Sequence, residues 1–191
     1  MAAKHSIIVT ATPNLISLAR LLAVPFVVWL ILVDRHGIAF WVFVAAGISD
    51  AVDGFLARQL GVRSVLGGFL DPLADKALLM SVYVALGYRG QIDTWLVILV
   101  VFRDMLIIGG AILYQTMTQS LKMQPLFISK INTTLQITLA AVLLAKLGLE
   151  IEDYDGAVRA LVYMVAASTF LSGAAYVGIW GWRAFRIEDA K

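Results

Sequence analysis

The sequence contains no cysteine, and this absence excludes disulfide bonds, thiolate zinc sites, iron–sulfur clusters and cysteine nucleophiles. Charged residues are also scarce, at 15 %, whereas a soluble domain has about 25 %. Hydrophobic residues make up 61 % of the 191 residues, and the mean hydropathy is +0.87. The chain is therefore predicted to be a membrane protein. The net charge is only +2, and the sequence has no basic cluster that would suggest nucleic-acid binding. The first residues lack the pattern of a secretory signal.

Six long apolar stretches predict an all-α fold, namely a six-transmembrane-helix bundle that forms one domain over residues 1–191. A membrane-spanning helix needs about 20 mainly apolar residues. The predicted spans are Leu15–Val33, Ile38–Arg58, Gly68–Leu86, Thr94–Thr116, Ile128–Leu147 and Ala157–Phe185. The connections between these spans are short, which favours a compact bundle of integral membrane helices without a separate soluble part.

The distribution of basic residues predicts the orientation of the bundle. With an even number of spans, both termini lie on the same side of the membrane. That side collects Lys4, Arg58, Arg63, Lys122, Lys130, Arg183, Arg186 and Lys191, whereas the opposite loops are rich in Asp and Glu. Because Lys and Arg accumulate in cytoplasmic loops, both termini are predicted to lie in the cytoplasm.

Three predicted spans contain charged residues that a lipid-facing helix would exclude. They occur in SDAVDGFLAR, GGFLDPLADK and VVFRDML, and such residues inside a membrane are candidates for a functional site. Asp50 and Asp53 are three residues apart and Asp71 and Asp75 are four apart, so each pair shares one face of its helix. A short connection makes the two helices adjacent and antiparallel. The four carboxylates are therefore predicted to meet near the cytoplasmic surface.

Four carboxylates at one site need either protons or cations to remain together. Oxygen ligands without histidine or cysteine suit Mg²⁺, Mn²⁺ or Ca²⁺, and two such ions commonly assist displacement at phosphorus. A structural salt-bridge cluster with Arg58, Lys76 and Arg103 is one alternative. An ion or proton pathway is another, although the acids lie at one membrane face and transporter sites lie near the midplane.

The acidic residues belong to a longer pattern, Asp50-x-x-Asp53-Gly54-x-x-Ala57-Arg58, followed after eight residues by Gly67-x-x-x-Asp71-x-x-x-Asp75. This pattern resembles the signature of the CDP-alcohol phosphatidyltransferases at all eight fixed positions, and PNLISLARLL is similar to the start of that family's first helix. The resemblance implies a membrane enzyme, usually a homodimer, that transfers a phosphatidyl group from CDP-diacylglycerol to an alcohol and releases CMP. It also suggests a bacterial inner membrane, with the active site facing the cytoplasm.

The resemblance implies a role for each matched residue. Asp50, Asp53, Asp71 and Asp75 would hold two Mg²⁺ or Mn²⁺ ions, and Asp75 would also act as the general base. CDP-diacylglycerol would contact Asn14, Ser17, Gly54, Ala57, Arg58, Ser64 and Gly67. Apart from the resemblance, Arg103, Lys130 and Arg63 are the predicted acceptor contacts, because they are the remaining cations able to reach a second pocket for the phosphate of the acceptor. The chemistry agrees, because a pyrophosphate is repelled by four carboxylates unless metal ions lie between them.

Two acceptors fit this pattern: phosphatidylglycerol, which gives cardiolipin, and glycerol 3-phosphate, which gives phosphatidylglycerophosphate. The segment Pro125–Gln136 (PLFISKINTTLQ) and the stretch Arg103–Ile107 resemble CMP-forming cardiolipin synthases. The few cations at hand also suit the single charge of a phosphodiester better than a phosphate of nearly two charges. Phosphatidylglycerol is the predicted acceptor, with glycerol 3-phosphate as the alternative. The non-enzyme alternative is a carboxylate-based divalent-cation carrier, which has no need of Gly54 and Arg58 beside the acids.

Overall fold

The computed structural model describes the backbone of residues 18–60, 65–118, 126–151 and 155–188. Side chains are described for residues 18–50, 52, 74–110, 112, 126–151 and 156–179. The described residues form helices and turns without a strand, which confirms the all-α prediction. The helices are α1 Leu18–Leu32, α2 His36–Leu60, α3 Val65–Tyr88, α4 Thr94–Thr118, α5 Phe127–Gly148 and α6 Asp155–Glu188. Their bounds lie close to those of the predicted spans, since long apolar runs fix where helices form.

Helices α1, α3 and α5 end in the same way, with one residue in the left-handed conformation. These residues are Asp34 (φ 59°), Gly90 (φ 70°) and Glu150 (φ 52°). The next backbone N–H then reaches back to a carbonyl in the last turn: Arg35 to Leu30 (2.9 Å), Gln91 to Leu86 (2.9 Å) and Ile151 to Lys146 (3.2 Å). This arrangement satisfies carbonyl groups that the helix itself leaves without donors. It turns the chain sharply, so the following helix starts after a short connection.

The chain divides into two compact units. One unit comprises described residues of Met1–Gln91 and Ala140–Asp153, and therefore contains α1, α2, α3 and the end of α5. The other comprises described residues of Ile92–Leu139 and Tyr154–Lys191, and contains α4, the start of α5 and α6. A single domain over residues 1–191 stays a prediction.

In the first unit, apolar side chains of all four helices are buried, among them Val27, Phe43, Tyr83 and Leu144. Two glycines allow a close approach of backbones where α2 starts and α5 ends. A Cβ atom on Gly148 would lie 2.5 Å from the Cα of Gly37. Since real Cβ atoms do not approach a backbone so closely, this crossing requires glycine at position 148.

In the second unit, α4 packs against α6. Leu96 and Val100 of α4, Leu139 of α5 and Val165 of α6 are buried. Arg103, Asp104 and several hydroxyl and amide side chains are buried as well. This unit therefore combines an apolar core with a substantial polar interior, which demands hydrogen-bond partners for each buried polar group.

Large apolar side chains are exposed on several helices. They include Trp29 on α1, Trp41 on α2, Phe102 on α4 and Phe170 on α6. Extended apolar surface of this kind is expected where helices face lipid. Within the described residues, Phe127–Gly148 and Gly156–Ile179 are long and apolar enough to cross a membrane, whereas Leu18–Leu32 and His36–Asp50 are shorter apolar helices. Six membrane crossings stay a prediction.

Candidate active site

The four aspartates of the signature lie on two consecutive helices. Asp50 and Asp53 are in the second half of α2, and Asp71 and Asp75 are in the first half of α3. The side chains of Asp50 and Asp75 are described and are 43 % and 42 % exposed. The side chains of Asp53 and Asp71 lie outside the described part. The structure thus shows one carboxylate from each helix, and both are about half-exposed.

Arg20 of α1 brings these two carboxylates together. Its Nη1 lies 2.9 Å from Oδ1 of Asp50 and also donates to Oδ1 of Asp75. The guanidinium group is buried, whereas both carboxylates are half-exposed. We call this arrangement of Arg20, Asp50 and Asp75 the Arg20 bridge. It joins α1, α2 and α3 through a single nitrogen atom.

Sequence reasoning missed Arg20. The salt-bridge alternative named Arg58, Lys76 and Arg103 as cations, yet the cation that the structure pairs with Asp50 and Asp75 is on α1. The signal was available in PNLISLARLL, where an arginine occurs in an otherwise apolar predicted span. A buried arginine in a membrane helix needs an anionic partner, and the neighbouring helices supply two.

The two carboxylates of the Arg20 bridge are of the chemical type that binds divalent metal ions. Carboxylate oxygens are the ligands that Mg²⁺ and Mn²⁺ prefer, and Asp50 and Asp75 already lie around a positively charged group. Within the described side chains, no group of three acidic, histidine or cysteine residues comes together. The four-aspartate metal site stays a prediction, because the side chains of Asp53 and Asp71 lie outside the described part.

The residues predicted to contact the nucleotide fall mostly outside the described part. Gly54, Ala57 and Arg58 lie on α2 and Gly67 lies on α3, and nothing further is described for them. Asn14, Ser17, Arg63 and Ser64 lie outside the described backbone. Their roles stay predictions.

Arg103 is buried between α4, α5 and α6. Its Nη1 donates to Oδ1 of Asp104 at 2.6 Å, and its Nη2 donates to Oγ of Ser129 at 2.7 Å and to Oγ of Ser172 at 2.5 Å. Asp104 is fully buried. We call these four residues the Arg103 cluster. The charge of Arg103 is balanced inside the protein by the adjacent carboxylate.

Lys130 differs from Arg103 in its surroundings. It is exposed on the first turn of α5, immediately after Ser129 of the Arg103 cluster. An ammonium group at an exposed position is free to move toward an anionic ligand, because its flexible stem does not fix it in one geometry. Of the two predicted acceptor cations in the described part, Lys130 is therefore the more accessible one, and acceptor contacts of both residues stay predictions.

A second polar group in the same unit was also missed by sequence reasoning. Oδ1 of the buried Asn132 accepts hydrogen bonds from Oγ of Ser168 and Oγ1 of Thr169, each at 2.8 Å. These contacts join α5 to α6. The only local signal is the presence of polar residues in apolar spans, which does not identify their partners.

Comparison with known proteins extends the similarity over most of the chain. A sequence model of the CDP-alcohol phosphatidyltransferase family matches residues 10–180. A chloroplastic CDP-diacylglycerol–glycerol-3-phosphate 3-phosphatidyltransferase of Oryza sativa is 35 % identical over 181 residues, which cover 86 % of this chain and 55 % of the relative. The CMP-forming cardiolipin synthase of Homo sapiens is 36 % identical over 149 residues, or 70 % of this chain and 50 % of the relative.

A bacterial relative is named for the same activity as the rice protein. The CDP-diacylglycerol–glycerol-3-phosphate 3-phosphatidyltransferase of Cereibacter sphaeroides is 34 % identical over 146 residues, which cover 72 % of this chain and 65 % of the relative. The chain spans about half the length of the first two relatives. The names of these relatives specify two different activities, so similarity alone does not determine the acceptor.

Proposed function

Because this chain belongs to the CDP-alcohol phosphatidyltransferase family, we propose that it transfers a phosphatidyl group from CDP-diacylglycerol to an alcohol and releases CMP. One observation carries the proposal: Asp50 and Asp75, from separate helices, converge on one nitrogen of Arg20 and remain half-exposed. Both occupy aspartate positions of the family signature. A divalent-cation carrier would also use carboxylates, but family membership favours the transferase.

We assign the four aspartates to a site for two Mg²⁺ or Mn²⁺ ions. When bound, such ions stabilise negative charge on the transferring phosphoryl group and on the departing CMP. Asp50 and Asp53 would contribute from α2, and Asp71 and Asp75 from α3. The two described carboxylates support this assignment, because they present oxygen donors at a partly exposed position.

Asp75 is the proposed general base. Its carboxylate accepts the proton of the acceptor hydroxyl while the hydroxyl oxygen forms a bond to the phosphatidyl phosphorus. The bond between that phosphorus and the bridging oxygen of the pyrophosphate breaks, and CMP leaves with the bonding electrons. The hydrogen bond from Arg20 holds the Asp75 carboxylate in a fixed orientation, which is what a positioned base requires.

The nucleotide is proposed to bind along α2 and the start of α3. Gly54, Ala57 and Gly67 carry little or no side chain and would allow the cytidine and its phosphates to approach the helices closely. Arg58, Ser64, Asn14 and Ser17 would provide polar contacts. These assignments are supported by the matched signature.

We propose phosphatidylglycerol as the acceptor. Asp104 balances the charge of Arg103, and Lys130 is the exposed cation next to this cluster. Within the described side chains this region offers one exposed cation, which suits the single charge of a phosphodiester, whereas a phosphate monoester usually has a denser set of donors. Arg63 would add a further contact. Glycerol 3-phosphate is the second candidate, and it is the acceptor printed in the names of the rice and Cereibacter sphaeroides relatives.

The cellular setting follows from the proposed reaction. Members of this family are membrane proteins, and the site is proposed to face the cytoplasm so that CMP enters water while acyl chains stay in lipid. We propose a six-span homodimer in a bacterial inner membrane. The name of the rice relative shows that some relatives are found in organelles.

The test supplies the purified protein in detergent with CDP-diacylglycerol and one acceptor at a time, and measures CMP and the lipid products. We expect CMP release with Mg²⁺ or Mn²⁺, cardiolipin from phosphatidylglycerol, and no CMP in chelator. If phosphatidylglycerophosphate forms and cardiolipin does not, the acceptor is wrong and the reaction class stands. Absence of CMP with every acceptor would contradict the proposed activity, and CMP release in chelator would contradict the metal site.

A further inference from the structure

Arg20 is placed where an unpaired charge would be costly. It lies near the start of the described part of α1 and is 4 % exposed, with apolar residues on either side in sequence. Removing a guanidinium group from water is unfavourable unless anionic partners compensate for it. The Arg20 bridge provides two such partners on two other helices. The position is therefore determined by charge rather than by apolar packing alone.

The same geometry benefits the carboxylates. Asp50 and Asp75 both contact one atom, Nη1, and two carboxylates this close repel each other in the absence of a cation. Arg20 approaches from the buried side, since its side chain is 3 % exposed while theirs are 43 % and 42 % exposed. The arginine thus supplies positive charge to the carboxylates and leaves them accessible from the other side.

We propose that Arg20 is a positioning residue that acts as the built-in counter-ion of Asp50 and Asp75 when no metal ion is bound. This inference rests on the proposed metal site and adds a role for a residue outside the signature. In the metal-free protein, Arg20 keeps α2 and α3 carboxylates together. A divalent ion supplies the same compensation, so Arg20 lowers the gain in stability that metal binding brings.

Removal of the Arg20 charge should therefore lower the unfolding temperature more in the metal-free protein than in the metal-bound protein. In chelator, Arg20→Gln removes the positive charge that Asp50 and Asp75 share, and the protein unfolds at a lower temperature. When Mg²⁺ or Mn²⁺ is added, the unfolding temperature of Arg20→Gln returns close to that of the unchanged protein. The rise in Tm on adding metal is larger in Arg20→Gln than in the unchanged protein, and the apparent metal dissociation constant falls about tenfold, which corresponds to about 1.4 kcal/mol.

The experiment measures thermal unfolding of the full chain in detergent by tryptophan fluorescence, at constant pH, in chelator and across a titration of Mg²⁺ or Mn²⁺. Arg89→Gln is the matched control, because Arg89 also pairs with an aspartate, Asp34, but at an exposed position away from the signature. We expect its rise in Tm on adding metal to equal that of the unchanged protein. Arg20→Lys, which keeps the charge, should respond much more like the unchanged protein than Arg20→Gln does.

A double variant keeps the test decisive if Arg20→Gln alone does not fold. Arg20→Gln/Asp50→Asn removes the cation and one of the repelling carboxylates, so in chelator it should unfold at a higher temperature than Arg20→Gln. If the double variant is no more stable than the single one, Arg20 acts through packing and the inference fails.

The outcomes separate the inference from the proposed function. An equal or smaller rise in Tm on adding metal in Arg20→Gln, with a clear rise in the unchanged protein, overturns the counter-ion role and leaves the metal site intact. No rise in the unchanged protein would overturn the metal site, and the inference with it.

Discussion

At the scale of single residues, the partners of the charged side chains distinguish the two polar regions. The Arg20 bridge leaves its carboxylates half-exposed, whereas the Arg103 cluster encloses Asp104 completely. An exposed carboxylate can replace an arginine partner by a ligand, whereas an enclosed ion pair mainly stabilises the packing around it. We therefore expect chemistry at the first region and a structural role for Arg103 at the second.

Replacement of Asp75 tests the proposed base. Asp75→Asn cannot accept a proton, so we expect turnover to fall by a factor of about 10² to 10⁴ while CDP-diacylglycerol still binds. The measurement is CMP release together with a separate binding assay. Glu150→Gln is the control, because Glu150 is exposed in the turn after α5, and it should keep normal turnover. Near-normal turnover in Asp75→Asn would show that another group takes the proton.

Replacement of Arg103 tests the cluster. Arg103→Met removes the partner of a fully buried carboxylate, and breaking a buried pair costs about 3–5 kcal/mol. We expect a large loss in Tm, partly restored by adding Asp104→Asn. Arg89→Met is the control, because its pair with Asp34 is exposed and such pairs contribute at most about 1 kcal/mol. Equal effects of the two arginine variants would contradict a structural role for the cluster.

At the scale of helices, the bounds follow from local sequence but the crossings do not. Each of α1, α3 and α5 ends with a left-handed residue, and only one of these residues is glycine. Asp34 and Glu150 adopt this conformation although it is unfavourable for residues with a Cβ atom. Since the motif also satisfies terminal carbonyl groups, hydrogen bonding offsets part of that cost.

The close contact between α2 and α5 predicts that a side chain larger than glycine at position 148 destabilises the protein. In Gly148→Ala the new Cβ would lie 2.5 Å from Cα and 2.6 Å from N of Gly37. The backbone must move, and overpacking of this kind costs about 1–3 kcal/mol. Gly178→Ala on α6 is the control, because a Cβ there meets no atom of the described residues within 4 Å. Thermal unfolding in detergent should show a clear loss for the first variant only, and equal behaviour would show that the helices do not approach so closely.

For the molecule as a whole, the apolar composition determines the medium in which the protein is expected to be stable. The exposed apolar side chains on several helices would be unfavourable in water, because each buries its surface only in lipid. When lipid covers this apolar surface, a chain with 15 % charged residues need not aggregate. The expected medium is therefore a bilayer, as for other members of the family.

Membrane fractionation checks this expectation. We expect the expressed protein to stay in the membrane pellet after washing with high salt and with alkaline carbonate, because integral helices are not removed by breaking electrostatic contacts. A peripheral membrane protein is the control for the wash and should be released. Release of this protein under the same conditions would contradict integral insertion.

The helices, the all-α class and the family follow from the amino-acid sequence alone. Long apolar runs place helices locally, and the spacing of the signature aspartates assigns each pair to one helix face, because helical periodicity is a property of neighbouring residues. The residue identities at the eight signature positions were enough to indicate the reaction class. None of these inferences requires knowledge of how the helices pack.

Which charged and small residues meet depends on how the helices pack. Arg20 and Asp75 are 55 positions apart, Arg103 and Ser172 are 69 apart, and Gly37 meets Gly148 at a helix crossing. Apolar periodicity says which face of a helix is buried but not which residue of another helix lies opposite, since many pairings bury similar apolar area. The counter-ion of the aspartates therefore became visible only once α1, α2 and α3 were packed together.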